Sequence, residues 1–343
     1  MRKSNGLTVY DIAKAAGVSA STVSRTLDPR TRSLVNEKTA ARIEKTVEEL
    51  DFRINPVARS LKTRRSMTIG VLIPDLTNPL FPPIVRGLQD RLELDGYVAL
   101  VASIDDDLAR EQRIFDVLRD RHVDGMVLAT AARGDDLVNQ ALDAGIPTVL
   151  INRTTDGHRV DSVVPDDRRG TAQAVEHLVD LGHRRIAHVG GPRNTTSGRL
   201  RRAGFRGAVR QHGLAADGGV IREAFGFTEE AGHAAATRLL DAAEPPTAIV
   251  AANDLLAFGC LSAIADRGLS CPADISVIGF NDIIFADRAA PALTTVHFSH
   301  ADLGRVAAEL LLRRLDDPST EPELVVIETS LVRRKSTAPP KVG

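Results

Sequence analysis

Tryptophan is absent from this 343-residue chain, and aromatic residues of all kinds make up only 3% of it. The side chain best suited to stacking on a flat ligand is therefore missing, and any such role falls to Phe or Tyr. Cysteine is scarce as well. Cys260 and Cys271 are too few to staple a scaffold and lack metal-ligand spacing, so a reducing, cytoplasmic compartment is expected. No run of about 18 uncharged apolar residues occurs, which excludes a membrane-spanning helix of the usual kind. Arg2, Lys3, Asp11 and Lys14 crowd the start with no apolar segment behind them, so no secretory leader is expected. There is no HExxH, no Walker loop, no GxGxxG after a strand and no nucleophile beside an evident base. An enzyme, a cofactor and a metal are accordingly not expected. His183 and His188 in GHRRIAHVGG read as structural histidines, and the run Asp105, Asp106, Asp107 as the acidic start of a helix.

Net charge is also small, at −1, but it hides a division. Residues 1–65 hold 14 Lys and Arg against 7 Asp and Glu, whereas residues 66–343 hold 30 against 38. All nine histidines lie in the second part. A small basic head on a large acidic body points to a nucleic-acid-binding segment, or else to a solvated basic tail. The pattern within the head decides between them.

Thr8 to Leu27 reads TVYDIAKAAGVSASTVSRTL. Thr8 with Asp11 three residues on suits a helix N-terminus. Val9, Ile12, Ala13 and Ala16 recur at helical spacing, and Gly17 ends the helix. Ser19 caps a second helix carrying Val23 and Leu27 on one face. Two short helices joined by a Gly-containing turn form a helix-turn-helix. A third helix, capped by Asn36, offers Ile43, Val47 and Leu50 to close the core. In this motif the start of the second helix meets base edges. Ala20 is expected against a thymine methyl and Ser21 against either base type. Thr22, Ser24 and Arg25 suit phosphates, with guanine a second option for Arg25. Thr8, Tyr10 and Ser19 complete the candidate DNA-facing set of the head.

Asn55 to Lys62 reads NPVARSLK, an N-cap, a proline at the first helical position and two turns of helix. So short a helix is unstable alone and should order only against a partner. With this connector included, the sequence resembles the LacI/GalR family of bacterial transcription regulators along nearly its whole length. The resemblance rests on TVYDIAKAAGVSASTVSRTL, FRINPVARSLK, IGVLIPDLTNPLF, GHRRIAHVGGP, NDLLAFG, DISVIGFND and PALTTV in combination. It implies that the connector is a hinge helix that folds on operator DNA. Leu61 would then wedge into the central base step, with Ala58 toward the partner helix and Asn55 and Lys62 at the ends of the hinge.

From Met67 on, short apolar runs alternate with helical stretches, in two series. That alternation implies parallel sheets covered on both faces, and two series imply two doubly wound lobes. The predicted fold is an N-terminal all-α helix-turn-helix headpiece (1–54), a hinge and linker (55–66) and an α/β core (67–343). The resemblance adds a periplasmic-binding-protein-like architecture in which the chain crosses between lobes three times. The crossings are expected near Asp161–Val164, Ala289–Thr294 and Glu321–Val325.

Ligands of such sheets sit at the C-terminal ends of the strands. The candidate effector residues are therefore Asp75, Asn78, Phe81, Ser103, Thr130, Asn152, Arg153, Ser197, Arg201, Phe227, Asn253 and Asn281. The resemblance singles out Arg201, Asn253, Phe227, Phe81 and Asn281, with Arg201 foremost. It also marks a departure, since Asn152 and Asn281 stand where the family often has aspartate. Amides suit a neutral sugar or sugar derivative. Arg153 and Arg201 leave open an anionic ligand, a sugar acid or sugar phosphate, and a nucleobase stays open too. The expected partners are operator DNA, a small-molecule effector and a second copy of the chain. The tail Ser336–Gly343 has two prolines and no apolar heptad, which argues for a homodimer over a tetramer.

Overall fold

The computed structural model describes residues 7–27, 31–52, 65–105, 107–131, 136–214 and 221–341. These fall into two packing units, Met1–Ser66 and Met67–Gly343.

In the first unit, helices α1 (Val9–Ala16) and α2 (Ala20–Leu27) are joined by the predicted turn, and α3 (Glu37–Glu49) packs across them. The Asp11 carboxylate accepts from the Thr8 amide at 2.8 Å and the Thr8 hydroxyl at 2.7 Å, fixing where α1 begins. Gly17 ends it at φ 61°, and the Val18 amide closes back on the Ala13 carbonyl at 3.0 Å. Glycine adopts that backbone at the least cost. Asn36 caps α3 as expected, accepting from the Lys38 amide at 3.0 Å. The core is Ile12, Ala13, Ala16, Val23, Ile43 and Phe52. Leu50, expected in that core, is exposed instead. The chain turns back after α3, the Phe52 amide bonding the Val47 carbonyl, and Phe52 takes the place intended for Leu50.

The second unit holds two six-stranded sheets. The first lobe contains β1 (Thr68–Ile73), β2 (Val98–Ser103), β3 (Gly125–Leu128), β4 (Thr148–Ile151) and β5 (Asp161–Pro165). Its helices are α4 (Phe81–Glu93), α5 (Leu108–Asp120) and α6 (Asp136–Asp143). The second lobe runs α7 (Asp167–Asp180), β6 (Ile186–Gly190), α8 (Thr196–Gln211), β7 (Ile221–Glu223), α9 (Glu229–Leu240), β8 (Ala248–Ala251), α10 (Asp254–Ala265), β9 (Ser276–Asn281) and β10 (Thr294–His297). The chain then returns to the first lobe with α11 (His300–Asp316) and β11 (Leu324–Ile327), and ends with β12 (Ser330–Val332) in the second sheet. Strand order is β11-β5-β4-β3-β1-β2 in one sheet and β12-β10-β9-β8-β6-β7 in the other. Every pairing is parallel except β10 with β12. The central strands are buried on both faces, as parallel sheets between helix layers require.

Three crossings join the lobes, but each lies C-terminal to its predicted place. Asp161–Val164 belongs to β5, so the first crossing is the step from Pro165 into α7. The expected second crossing, Ala289–Thr294, stays within the second lobe because β10 pairs with β9. The chain crosses after it, at Phe298–Ser299. Val325 pairs with Val163 inside the first sheet, so the third crossing is Glu328–Thr329. The strands at these points, β5, β10 and β11, are only four or five residues long, and the pairings that extend each of them are not revealed by periodicity alone. The helix α11 was likewise not predicted. Among the described residues, no helix is long and apolar enough to cross a membrane.

Candidate functional site

On the first unit, the face of α2 is built by its cap. Ser19 Oγ accepts from the Thr22 amide at 3.2 Å and lies 2.8 Å from both Ser21 Oγ and Thr22 Oγ1. Ser21 and Arg25, one turn apart, are exposed side by side, while Thr22 and Ser24 are half-buried. Tyr10 is 77% exposed and Thr8 is also at the surface. Ala20 is half-buried like Thr22 and Ser24, and part of its surface packs on the Ile12–Val23 core. Asn55, Ala58, Leu61 and Lys62 lie outside the described residues.

In the second unit, a pocket opens where the C-terminal strand ends of the two lobes face each other. Asp75, Asn78, Phe81, Asn152 and Arg153 line it from the first lobe, and Ser197, Arg201, Phe227, Asn253 and Asn281 from the second. Four lining residues were not anticipated: Pro74, Leu80, Thr228 and Leu255. They are apolar or small groups that close the pocket, and nothing in their spacing marks them.

Ser103 and Thr130 are not on the lining, contrary to expectation. Ser103 instead braces the loop after β1. Its hydroxyl accepts from the Leu76 amide at 3.3 Å and donates to the Asp105 carboxylate at 2.7 Å. Thr130 stands behind Arg153, its carbonyl 3.5 Å from the Arg153 Nη1. Asp107, as expected, caps a helix, accepting from the Ala109 and Arg110 amides.

Arg201 is the best-held side chain of the cleft. Its Nε donates to Asp167 at 2.7 Å, its Nη1 to the Ala252 carbonyl at 2.5 Å and its Nη2 to Asn281 Oδ1 at 3.4 Å. The guanidinium lies 3.7 Å over the Phe280 ring. Asp167, which sequence reasoning missed, is fully buried. Burial pushes its carboxyl above the usual carboxylate range, although Arg201 pulls the other way. Arg153 sits 5.8 Å over the Phe227 ring. That ring in turn packs on Gly191, where an added Cβ would fall 2.3 Å from it, so only glycine lets Phe227 reach the cleft.

The two asparagines that depart from the family pattern share a backbone feature. Asn152 has φ 62° and Asn281 φ 115°, each closing a strand in the left-handed region that asparagine and aspartate tolerate best. Asn152 Oδ1 is buried with no hydrogen-bond partner among the described residues. Asn253 is already engaged. It caps α10 by accepting from the Leu256 amide at 2.9 Å and donates to the Phe227 carbonyl at 3.3 Å. Asn78 accepts from the Leu80 amide at 3.1 Å and Asp75 from the Thr77 amide at 2.7 Å.

The cavity enclosed is about 70 Å³. At ~30 Å³ per water that is room for two or three waters, well short of the ~300 Å³ at which ligand pockets begin. A sugar-sized molecule therefore enters only if the lobes part or the lining leucines and phenylalanines move.

Elsewhere in the second unit, the histidines are structural. His183 bonds the Thr247 hydroxyl and the Ala338 carbonyl, both at 2.9 Å. His188 Nδ1 lies 2.7 Å from the Val250 carbonyl, stacks on Phe205, and is held at about 4 by burial, hence neutral. Among the described residues no three His, Cys, Asp or Glu side chains gather as a metal site would require.

Comparison with known proteins agrees with this anatomy. Residues 8–55 match the family model described as bacterial regulatory proteins, lacI family, and residues 175–337 that of the periplasmic binding protein-like domain. The chain is 34% identical to the HTH-type transcriptional regulator DegA of Bacillus subtilis (strain 168), across 97% of this chain and 98% of that one. A transcriptional regulator CelR–cellobiose complex is 30% identical, with TM-score 0.75, covering 96% of this chain and 99% of that one. The lac repressor dimer bound to operator and the anti-inducer ONPF superposes with TM-score 0.82 at 27% identity, covering 97% and 100%.

Proposed function

The chain belongs to the LacI family of bacterial regulatory proteins and is a DNA-binding transcriptional regulator, not an enzyme; from that premise we propose that it is a cytoplasmic repressor whose effector is a neutral sugar. It acts as a homodimer on a pseudo-palindromic operator, since one head reads only a half-site. Ser21 and Arg25 lead the base and phosphate contacts, with Thr8, Tyr10, Ser19, Thr22 and Ser24 on the flanking backbone. Leu61 of the hinge is assigned the minor-groove wedge on the strength of the family resemblance alone; Leu61→Ala should reduce operator bending in a FRET assay while leaving effector binding intact.

A second copy has a surface to occupy. Val98 and Leu100 are exposed on β2, an edge strand, and Leu94, Leu108 and Val117 are exposed on the same lobe. An apolar edge of this kind is seldom left open to water.

The observation that carries the neutral-sugar reading is the buried, unpartnered Asn152 Oδ1 beside an Arg201 already neutralised by Asp167. Such an oxygen calls for a donor, and a sugar hydroxyl supplies one. The likeness to a cellobiose-bound regulator supports the same class. Binding that parts or re-angles the lobes would shift the hinge pair, and with it operator affinity, by the differential affinity of the effector for the two states. A thermal-shift screen of the full chain tests this. Neutral mono- and disaccharides should raise the melting temperature and change operator retention in a gel shift. Stabilisation by sugar acids or sugar phosphates alone would refute it.

A further inference from the structure

A second depression lies on the outer side of α8, sharing no residue with the cleft. Arg193, Arg199, Arg202 and Arg206 wall it, with Ala203 between them, and its volume is about 430 Å³. The helix explains the clustering. Arg201, Gly204, Phe205 and Ala208 form the buried side of α8, which leaves 199, 202 and 206 to recur at three and four residues on the other side.

The charges do not balance. Glu223 pairs with both Arg193 and Arg202, and an Asp156 carboxylate oxygen stands 3.6 Å from Arg199. Arg206 makes no ion pair among the described residues. Among the described residues, four guanidiniums thus face two carboxylates. The Arg202 side chain is only 19% exposed, so this excess is partly shielded from water. Burial, and then repulsion from Arg206 and Arg193, hold Arg202 below its usual range despite Glu223.

We infer that this depression is a binding site for a small polyphosphate anion, a ligand carrying two or more phosphoryl groups. A phosphoryl group brings about −1.5 to −2 charge in a small volume, so one or two of them offset the excess. Arginine forks bind phosphate oxygens in pairs. From 199 to 206 the helix rises ~10 Å, enough to serve two phosphoryl groups at once. The depression is open to solvent, and its walls come from α8 and the turn before it, room enough for a small anion.

The test is isothermal titration of the full chain with inorganic triphosphate in 0.15 M salt. Wild type should bind one anion per chain, saturably. Arg199→Glu with Arg206→Glu, both exposed side chains, should weaken binding at least tenfold with the melting temperature and the response to sugar unchanged. Arg199→Lys with Arg206→Lys should lie in between, because lysine keeps the charge and loses the fork. Arg121→Glu, exposed in the other lobe, should bind as wild type does. No saturable binding, or equal binding by the glutamate variant (which would place the anion on the basic head), overturns the proposal. So does a hexaglutamate peptide that binds as tightly as triphosphate.

Discussion

Arg201 and Asp167 are bonded to each other at 2.7 Å with both side chains almost wholly buried. The pair gives Arg201 two tasks, since the same guanidinium lines the cleft and neutralises a carboxylate beneath it. Removing one partner of a buried pair costs about 3–5 kcal/mol, less what the carboxyl recovers by taking up a proton. Arg201→Ala should therefore lose the effector response and also lower stability in urea. Adding Asp167→Asn should recover part of the stability and none of the response. A single variant with full stability and full response would remove Arg201 from both roles.

Asn152 should tell neutral from charged ligands. Its Oδ1 is buried without a partner among the described residues. Asn152→Ala removes that acceptor and should weaken sugar binding by about 1–2 kcal/mol, five- to thirty-fold. Asn152→Asp keeps an acceptor on a left-handed backbone that aspartate also tolerates. It should hold a neutral sugar within a few-fold of wild type. Calorimetric titration of the two variants with the stabilising sugar measures both. Tighter binding to the alanine variant would place the ligand elsewhere.

The cleft was legible where strand chemistry decides it. Parallel strands put Asn152 and Arg153 at the C-terminal end of β4 in one lobe and Asn281 at that of β9 in the other, and the first turns of α8, after β6, bring Ser197 and Arg201 to meet them. Asp167 was not legible. It follows a crossing that the sequence reading places too early, near Asp161–Val164, and its partner lies 34 residues on. Ser103 was misjudged for the opposite reason: a strand-end hydroxyl can turn back to its own loop, and only the Leu76 amide shows that it does. In the head, the two-helix spacing was plain, but Phe52 fills the core place expected of Leu50. The chain turns back just after α3, and helical periodicity does not continue past that turn.

The head offers a test of stability and of contact together. Gly17 holds φ 61°, so Gly17→Ala should destabilise the head by about 1 kcal/mol without touching DNA directly. Arg25→Ala should leave the head folded. It should weaken operator binding and reduce the slope of log affinity against log salt by about one, the share of one phosphate contact. Circular dichroism separates the first effect from the second. An unchanged salt slope would move Arg25 from phosphate to base.

Asp254 makes stability depend on pH in a direction opposite to most carboxylates. It accepts from the Thr295 hydroxyl at 2.5 Å and the Ile283 amide at 2.8 Å, and burial pushes its pKa up to about 7. A folded-state pKa above the unfolded value means the native chain holds the proton longer. The stabilising contribution is thus present below the ordinary carboxylate range, near 4, and is lost as pH rises through about 7. Asp254→Asn cannot titrate. It gives up part of the bonding to Thr295 and Ile283, so at pH 4 it should be less stable than wild type. The gap should narrow from pH 4 to about 7 and then level off, as the wild type alone carries the buried charge. Urea unfolding at four pH values measures it, and a gap that stays constant from pH 5 to 8 would mean that Asp254 is already ionised in the native state over that range.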